Sequence, residues 1–188
     1  LSFNELESVT KFMFSDLPSL EELYLSSNLI QVIDLESFHS LNKLRVLDMS
    51  NNKLTALRGK IFPENLPLEV LKLQNCSTAV IEEDVLGTLK RLEQLDLCEN
   101  FLTNDFLSKL EVDNVKTLNL SKNNFTVLAD RAFKGVPAVK SLYLDHNQIS
   151  SIGSNAFLFN HRLETVSLAS NKLEQLPPAL FEMQTELR

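Results

Sequence analysis

The sequence is poor in the residues that mark several common classes of protein. It contains no tryptophan, 2 cysteines, 4 glycines and 6 prolines among its 188 residues. Two cysteines are too few for a disulfide framework, and so little glycine and proline excludes a linker or a disordered tract. No apolar run approaches the roughly 18 residues of a membrane-spanning helix, so we expect no membrane insertion by this segment.

Positive charge is also scarce. The 18 lysines and arginines are outnumbered by 25 aspartates and glutamates, which gives a net charge of -7 at pH 7. A nucleic-acid partner would favour a basic surface, so this balance argues against one. It fits a basic protein partner, and it fits simple solubility equally well.

What the sequence does contain is a repeat, seen best in VKSLYLDHNQISSIGSNAFLFN from Val139 to Asn160. Similar units start near residues 20, 44, 68, 92, 115, 139 and 163, so the period is 24 residues with one unit of 23. A period of about 20 to 29 residues with this apolar pattern is the signature of a leucine-rich repeat solenoid. We therefore predict one array over residues 1–188, with partial units at both ends. The capping repeats that such arrays need are missing, so we expect an internal piece of a longer array.

Each unit opens with a strand, and an asparagine recurs at the ninth place in most units. In LEELYLSSN, the buried Leu23 and Leu25 alternate with exposed residues, a period of two that predicts a short strand. One strand per coil must stack in parallel, which builds a sheet on the concave side. An asparagine at the ninth place should satisfy the turn backbones of adjacent coils, and this column comprises Asn4, Asn28, Asn52, Asn100, Asn123, Asn147 and Asn171, with Cys76 interrupting it.

The return side of each coil carries further apolar columns. One is aromatic, and we interpret it as a core spine rather than a ligand box; it comprises Phe14, Phe38, Phe62, Phe133, Phe157 and Phe181, with Leu86 and Leu110 as interruptions. We predict a mostly irregular or short helical convex side. The stretch Lys60 to Val70 should be irregular, and Asn100 to Val115, which lies in the short unit, should contain a short helix.

The chain resembles the 24-residue "typical" leucine-rich repeats of animal extracellular proteins, whose pattern LxxLxLxxNxLxxLxxxxFxxLxx matches throughout. Similar arrays occur in Toll-like receptor ectodomains, small proteoglycans, chaoptin-like adhesion proteins and insect leucine-rich immune proteins. The resemblance implies an α/β-type repeat solenoid, a curved right-handed horseshoe with its parallel sheet on the concave face. It also implies a secreted or cell-surface protein that binds other molecules and has no catalytic activity.

Solenoids of this kind bind through their concave sheet. The candidate partner-binding residues on that face are Glu22, Tyr24, Val46, Asp48, Val70, Lys72, Asp96 and Tyr143. Acidic residues crowd the first half of the strand-proximal surface, where Glu21, Glu22, Asp48, Glu69, Glu93, Asp96 and Glu99 face only Arg45 and Lys72. One interpretation is an acidic patch with Tyr24, Val46 and Val70 as apolar anchors for a basic partner. The other is a solvated face whose charges keep the chain soluble.

Three sequons, at Asn75, Asn119 and Asn124, are possible N-glycosylation sites, although roughly this number is expected by chance. A sugar on Asn119 would stand on the concave sheet and obstruct it. We expect Cys76 and Cys98 to be free thiols, since one lies in the turn column and the other points out of the sheet. The alternatives are a reactive Cys98, a pairing of Cys98 with a segment outside this sequence, or a bond between the two cysteines, which requires Cα atoms within about 7 Å of each other.

Catalysis has little support in the sequence. The histidines His39, His146 and His161 fall at different phases of the repeat, so they cannot converge on one metal ion. We predict no catalytic residue, no metal site and no cofactor. The leading hypothesis is a module that recognises a protein ligand or co-receptor, with a dimer possible in the parent protein. The alternative is a structural or scaffolding segment whose binding site lies elsewhere.

Overall fold

A computed structural model describes all residues from 1 to 188. It contains thirteen short strands and two short helices. In chain order these are β1 (Ser8–Val9), β2 (Glu22–Tyr24), β3 (Val32–Ile33), β4 (Val46–Asp48), β5 (Ala56–Leu57), β6 (Val70–Lys72), β7 (Val80–Ile81), α1 (Glu83–Leu86), β8 (Gln94–Asp96), α2 (Asn104–Lys109), β9 (Thr117–Asn119), β10 (Val127–Leu128), β11 (Ser141–Tyr143), β12 (Ser151–Ile152) and β13 (Thr165–Ser167).

One strand from each of seven coils joins a single parallel sheet, in the order β13-β11-β9-β8-β6-β4-β2. Each strand is three residues long, and its central residue points into the core while the outer two face solvent. The register advances by one whole unit at every step, so Leu23 pairs with Leu47, and Leu47 with Leu71. The predicted solenoid with a parallel concave sheet is confirmed.

The asparagine column binds adjacent coils together. The Oδ1 of Asn100 accepts hydrogen bonds from the N–H groups of Cys76 and Thr78, and its Nδ2 donates to the carbonyls of Leu73 and Leu97. Equivalent bonds to the preceding coil are made by Asn28, Asn52, Asn123, Asn147 and Asn171. Because the oxygen and the nitrogen of each amide are both used, the column is structural, as predicted.

The core is one continuous cluster of 47 buried apolar residues, and the aromatic spine runs through it. Phe14, Phe38 and Phe62 stack with ring centroids 6.4 and 5.4 Å apart. A second stack joins Phe133 and Phe157 at 5.6 Å, and Phe157 and Phe181 at 5.3 Å. Buried Leu86 and Leu110 lie between the two stacks, so the structure confirms a core spine rather than a ligand box.

The convex side is more regular than expected in some coils. The predicted short helix is present as α2, and Lys60 to Val70 is irregular up to β6. However, six coils also carry two-residue strands there, which pair in parallel as β1 with β3, β5 with β7, and β10 with β12. The sequence interpretation missed these strands. In each of them the second residue is aliphatic, and in β7 Ile81 is buried while Val80 faces solvent.

Candidate functional site

The concave face consists of the outward-facing residues of the seven-stranded sheet. The first row of neighbours runs Glu22, Val46, Val70, Gln94, Thr117, Ser141, Thr165. The second runs Tyr24, Asp48, Lys72, Asp96, Asn119, Tyr143, Ser167. All eight predicted partner-binding residues therefore lie on one surface, seven of them within the first four strands and Tyr143 two strands further on.

An apolar and aromatic group lies at the amino-terminal end of this face. Tyr24 is 43% exposed, and its hydroxyl donates a 2.8 Å hydrogen bond to Oε2 of Glu22. That bond raises the pKa of the Tyr24 hydroxyl above its usual value. Beside them, Val46 and Val70 are directly opposite each other on adjacent strands and are half-buried. The group combines a fixed aromatic ring with aliphatic surface, the composition typical of binding anchors.

Polar residues at the ends of three strands have a local structural role that the sequence interpretation missed. An oxygen of Asp48 accepts the N–H of Ser50 at 3.0 Å, and Asp96 accepts that of Cys98 at the same distance. Asn119 accepts the N–H of Ser121 at 3.1 Å. Each side chain thus closes a turn over its own strand end. The sequence signal for this role was an aspartate or asparagine at the last position of the strand, two residues before the N–H that its side chain accepts.

The acidic half of the surface is largely neutralised by ion pairs between coils. These pairs join Arg45 with Glu69, Lys116 with Glu93, Lys122 with Glu99, and, at 4.0 Å, Lys72 with Asp48. Three carboxylates of the predicted acidic set, those of Glu21, Glu22 and Asp96, have no cationic partner. The Arg45 guanidinium, bound through two nitrogens, lowers the pKa of Glu69, and Lys122 does the same for Glu99.

The carboxyl-terminal half of the face contains a polar cluster that was not predicted as a site. Asp145 accepts hydrogen bonds from the hydroxyls of Ser121 and Ser167 and from the N–H of Ala169. Tyr143 is half-buried on the neighbouring row. The available signal was an aspartate with a serine one unit before it, Ser121, and another serine in the following strand, Ser167.

The three sequons occupy different surfaces. Asn119 is half-buried in the concave sheet, between Asp96 and Tyr143. Asn75 and Asn124 are exposed in the turns that follow the strands, and Nδ2 of Asn75 donates to Oδ1 of Asn51 at 2.9 Å. Glycosylation at each stays a prediction.

Both cysteines are free in the structure. Burial raises the pKa of the Cys76 thiol to about 11, and partial burial also raises the pKa of Cys98. Histidine, cysteine and carboxylate side chains do not gather in groups of three or more that could hold a metal ion. Neither helix has the length and apolar character required to cross a lipid bilayer.

Comparison with known families identifies the repeat. A family model described as "Leucine rich repeat" matches residues 1–54 and 113–173, and a second model described in the same words matches residues 43–66. The chain is 33% identical to podocan of Mus musculus over 92% of its length, and 33% identical to osteomodulin of Rattus norvegicus over 97%. It is 32% identical to human Toll-like receptor 5 over 69% of its length.

These relatives are longer proteins. The chain spans 28% of podocan, 43% of osteomodulin and 16% of Toll-like receptor 5. Among solved structures, it is similar to a chain in the octameric complex of Latrophilin 3, Unc5D and FLRT2, the last contributing leucine-rich repeats. That similarity has a TM-score of 0.86 at 25% identity, covering 100% of this chain and 57% of the other. A complex of TLR13 with ssRNA13 gives a TM-score of 0.84 at 25% identity, covering 97% of this chain and 26% of that one.

These relatives confirm the predicted secreted or cell-surface location. The seven-coil parallel sheet and the asparagine column agree with the family match, which covers residues 1–66 and 113–173. The chain belongs to the leucine-rich repeat family.

Proposed function

We propose that this chain is a non-catalytic recognition module that binds a protein partner through the amino-terminal half of its concave sheet. The observation that carries the proposal is the exposed Tyr24 ring, which is hydrogen-bonded to Glu22. On the next strands Glu22 is followed by the half-buried pair Val46 and Val70. Aromatic and aliphatic anchors surrounded by polar groups are the usual composition of binding hot spots. Here the polar groups are Glu22, hydrogen-bonded to the tyrosine, and Lys72.

A parallel sheet held by hydrogen bonds between coils is also a rigid support. Rigid anchors lose little side-chain entropy on binding, which favours affinity. The carboxylates of Glu21, Glu22 and Asp96 have no cationic partner and favour basic groups on the protein that binds. The similar leucine-rich repeat chain found in a complex with Latrophilin 3 and Unc5D supports a protein as the class of partner.

The experiment is a binding screen of this chain against a panel of extracellular domains, followed by two matched substitutions. Tyr24→Ala removes the concave aromatic, and Phe159→Ala removes an aromatic outside the sheet that has the same 43% exposure. We expect Tyr24→Ala to weaken binding of the partner by roughly tenfold or more, about 1.4 kcal/mol, and Phe159→Ala to leave it unchanged.

Val46→Glu, which places a charge at one of the anchors, should weaken the same interaction. If binding is lost with Phe159→Ala and kept with both concave variants, the concave site is wrong. A panel that yields no partner would favour the structural alternative, in which the binding site lies elsewhere in the parent protein.

A further inference from the structure

A second surface lies along the lateral edge of the array, where the chain of each coil enters its concave strand. A groove of about 380 Å³ runs there across the coils from Glu69 to Arg162. Five cations line it, namely Lys90, Arg91, Lys116, Lys140 and Arg162, together with the carboxylates of Glu69 and Glu93. Because the whole chain carries a net charge of -7, this concentration of positive charge does not follow from the composition.

Ion pairs between coils already occupy the carboxylates of the groove. Glu69 accepts hydrogen bonds from Nε and Nη2 of Arg45, and Glu93 accepts from Lys116 at 2.6 Å. In contrast, Lys90, Arg91 and Arg162 form no ion pair, and all three are exposed. The unpaired charge of the groove is therefore positive.

The backbone sets the spacing of the two free arginines. Arg91 and Arg162 each stand immediately before a unit, and their units are three coils apart, which corresponds to roughly 15 Å at the spacing of parallel strands. The two units between them have Asn114 and Ala138 at the corresponding position. These side chains are shorter than arginine and leave space in the groove. An extended peptide covers roughly 15 Å in four or five residues. Two acidic side chains at that separation could each meet one guanidinium in a two-point hydrogen bond.

The alternation of charge in the groove discriminates between acidic ligands. A densely charged polyanion carries a charge every few ångströms and would place some of them over Glu69 and Glu93. A peptide with separated acidic side chains avoids these carboxylates. The groove therefore fits an acidic protein segment better than a nucleic acid or a sulfated polysaccharide.

The sequons leave this edge open. Asn75 and Asn124 lie in turns after the strands, on the opposite edge, and Asn119 lies in the sheet itself. Sugars on any of the three would stand away from Arg91 and Arg162.

We infer that the lateral groove is a binding site for an extended acidic segment of a protein, with Arg91 and Arg162 as its two principal contacts. This site is separate from the proposed concave site, so the two can fail independently.

The test uses the whole chain and a labelled peptide of about 12 residues with glutamates four residues apart, followed by fluorescence anisotropy. Its neutral counterpart has glutamine in place of glutamate. We expect the acidic peptide to bind more tightly than the neutral one, and the double variant Arg91→Glu/Arg162→Glu to weaken binding roughly tenfold or more. The matched control Lys53→Glu/Lys134→Glu makes the same change in net charge at exposed lysines without ion pairs outside the groove, and should change affinity less than about twofold.

Thermal melts of both variants report whether the fold is kept. We expect it to be kept, because neither arginine forms an ion pair within the chain. Three results would overturn the inference: equal binding of the acidic and neutral peptides, equal loss in the control variant, or tighter binding of a heparin oligosaccharide or a single-stranded oligonucleotide than of the peptide.

Discussion

At the residue scale, one position breaks the asparagine column and leaves a backbone group unpaired. Elsewhere an asparagine oxygen accepts the N–H located one coil earlier, as Asn52 does for Ile30 and Asn100 for Thr78. The corresponding donor for Cys76 is the N–H of Leu54, which is buried and has no acceptor. The Cys76 sulfur is instead 3.2 Å from the carbonyl oxygen of Met49, so the thiol replaces only part of the amide's function.

We therefore expect Cys76→Asn to stabilise the chain by about 1 kcal/mol, because it supplies the acceptor that the buried N–H of Leu54 lacks. Urea unfolding monitored by circular dichroism measures the change. Cys76→Ala is the control, since it removes the thiol without adding an acceptor, and it should not stabilise. An asparagine variant that unfolds at the same urea concentration as the wild type, or at a lower one, would contradict this account.

At the scale of the structural element, the short unit is accommodated by close backbone contact with the next coil. The N–H of Val112 donates to the carbonyl of Gly135 at 2.8 Å. A Cβ at Gly135 would lie 1.7 Å from the carbonyl oxygen of Leu110, a contact that the backbone could not absorb without moving. Two convex segments of adjacent coils therefore meet closely here, and glycine is required where they meet.

Gly135→Ala should destabilise the chain by about 1–3 kcal/mol or more, because two backbones must separate. Gly87→Ala is the matched control: its Cβ would meet nothing closer than 3.4 Å, and its φ of −60° suits alanine. We expect this control to be neutral or stabilising by up to about 1 kcal/mol, since alanine restricts the unfolded chain. Thermal unfolding distinguishes the two, and equal effects would argue against the close contact.

The period of the sequence predicted more of the elements than of the surface chemistry. It placed every concave strand, the asparagine column and the aromatic spine, because buried positions repeat with the same side-chain type. It missed β7 and the other convex strands because each is two residues long. One apolar residue of each strand recurs with the period, but two residues are too few to show the alternation that predicts a strand. It also overstated the acidic patch, although the ion pairs follow the period: Arg45 with Glu69 is separated by one unit, and so is Lys116 with Glu93. Charges summed along one half of the sequence overlook partners in the adjacent coil.

At the scale of the whole molecule, ion pairs link most neighbouring coils along the array. Carboxylates with a lowered pKa include Glu36 through Lys11, Glu69 through Arg45, Glu82 through the N–H of Gly59 and through Arg58, Glu99 through Lys122, and Glu164 through Lys140. Each pair is exposed to solvent, so its individual contribution is small and sensitive to salt. Their common direction nevertheless gives the array a shared response to acid.

We predict that the free energy of unfolding falls as the pH drops below about 4.5, the ordinary pKa of glutamate. A carboxylate whose pKa is lowered in the folded state contributes stability above its unfolded pKa, and this contribution is lost as the pH falls through the folded value. Glu69→Gln should make the pH profile shallower, because it removes one linked carboxylate. Glu7→Gln, at an exposed glutamate without an ion-pair partner, is the control and should leave the profile unchanged.

Urea unfolding between about pH 7 and pH 3 at low ionic strength, where exposed pairs are least screened, measures the slope. Identical profiles for Glu69→Gln and the wild type would show that the pair of Arg45 with Glu69 does not contribute to stability.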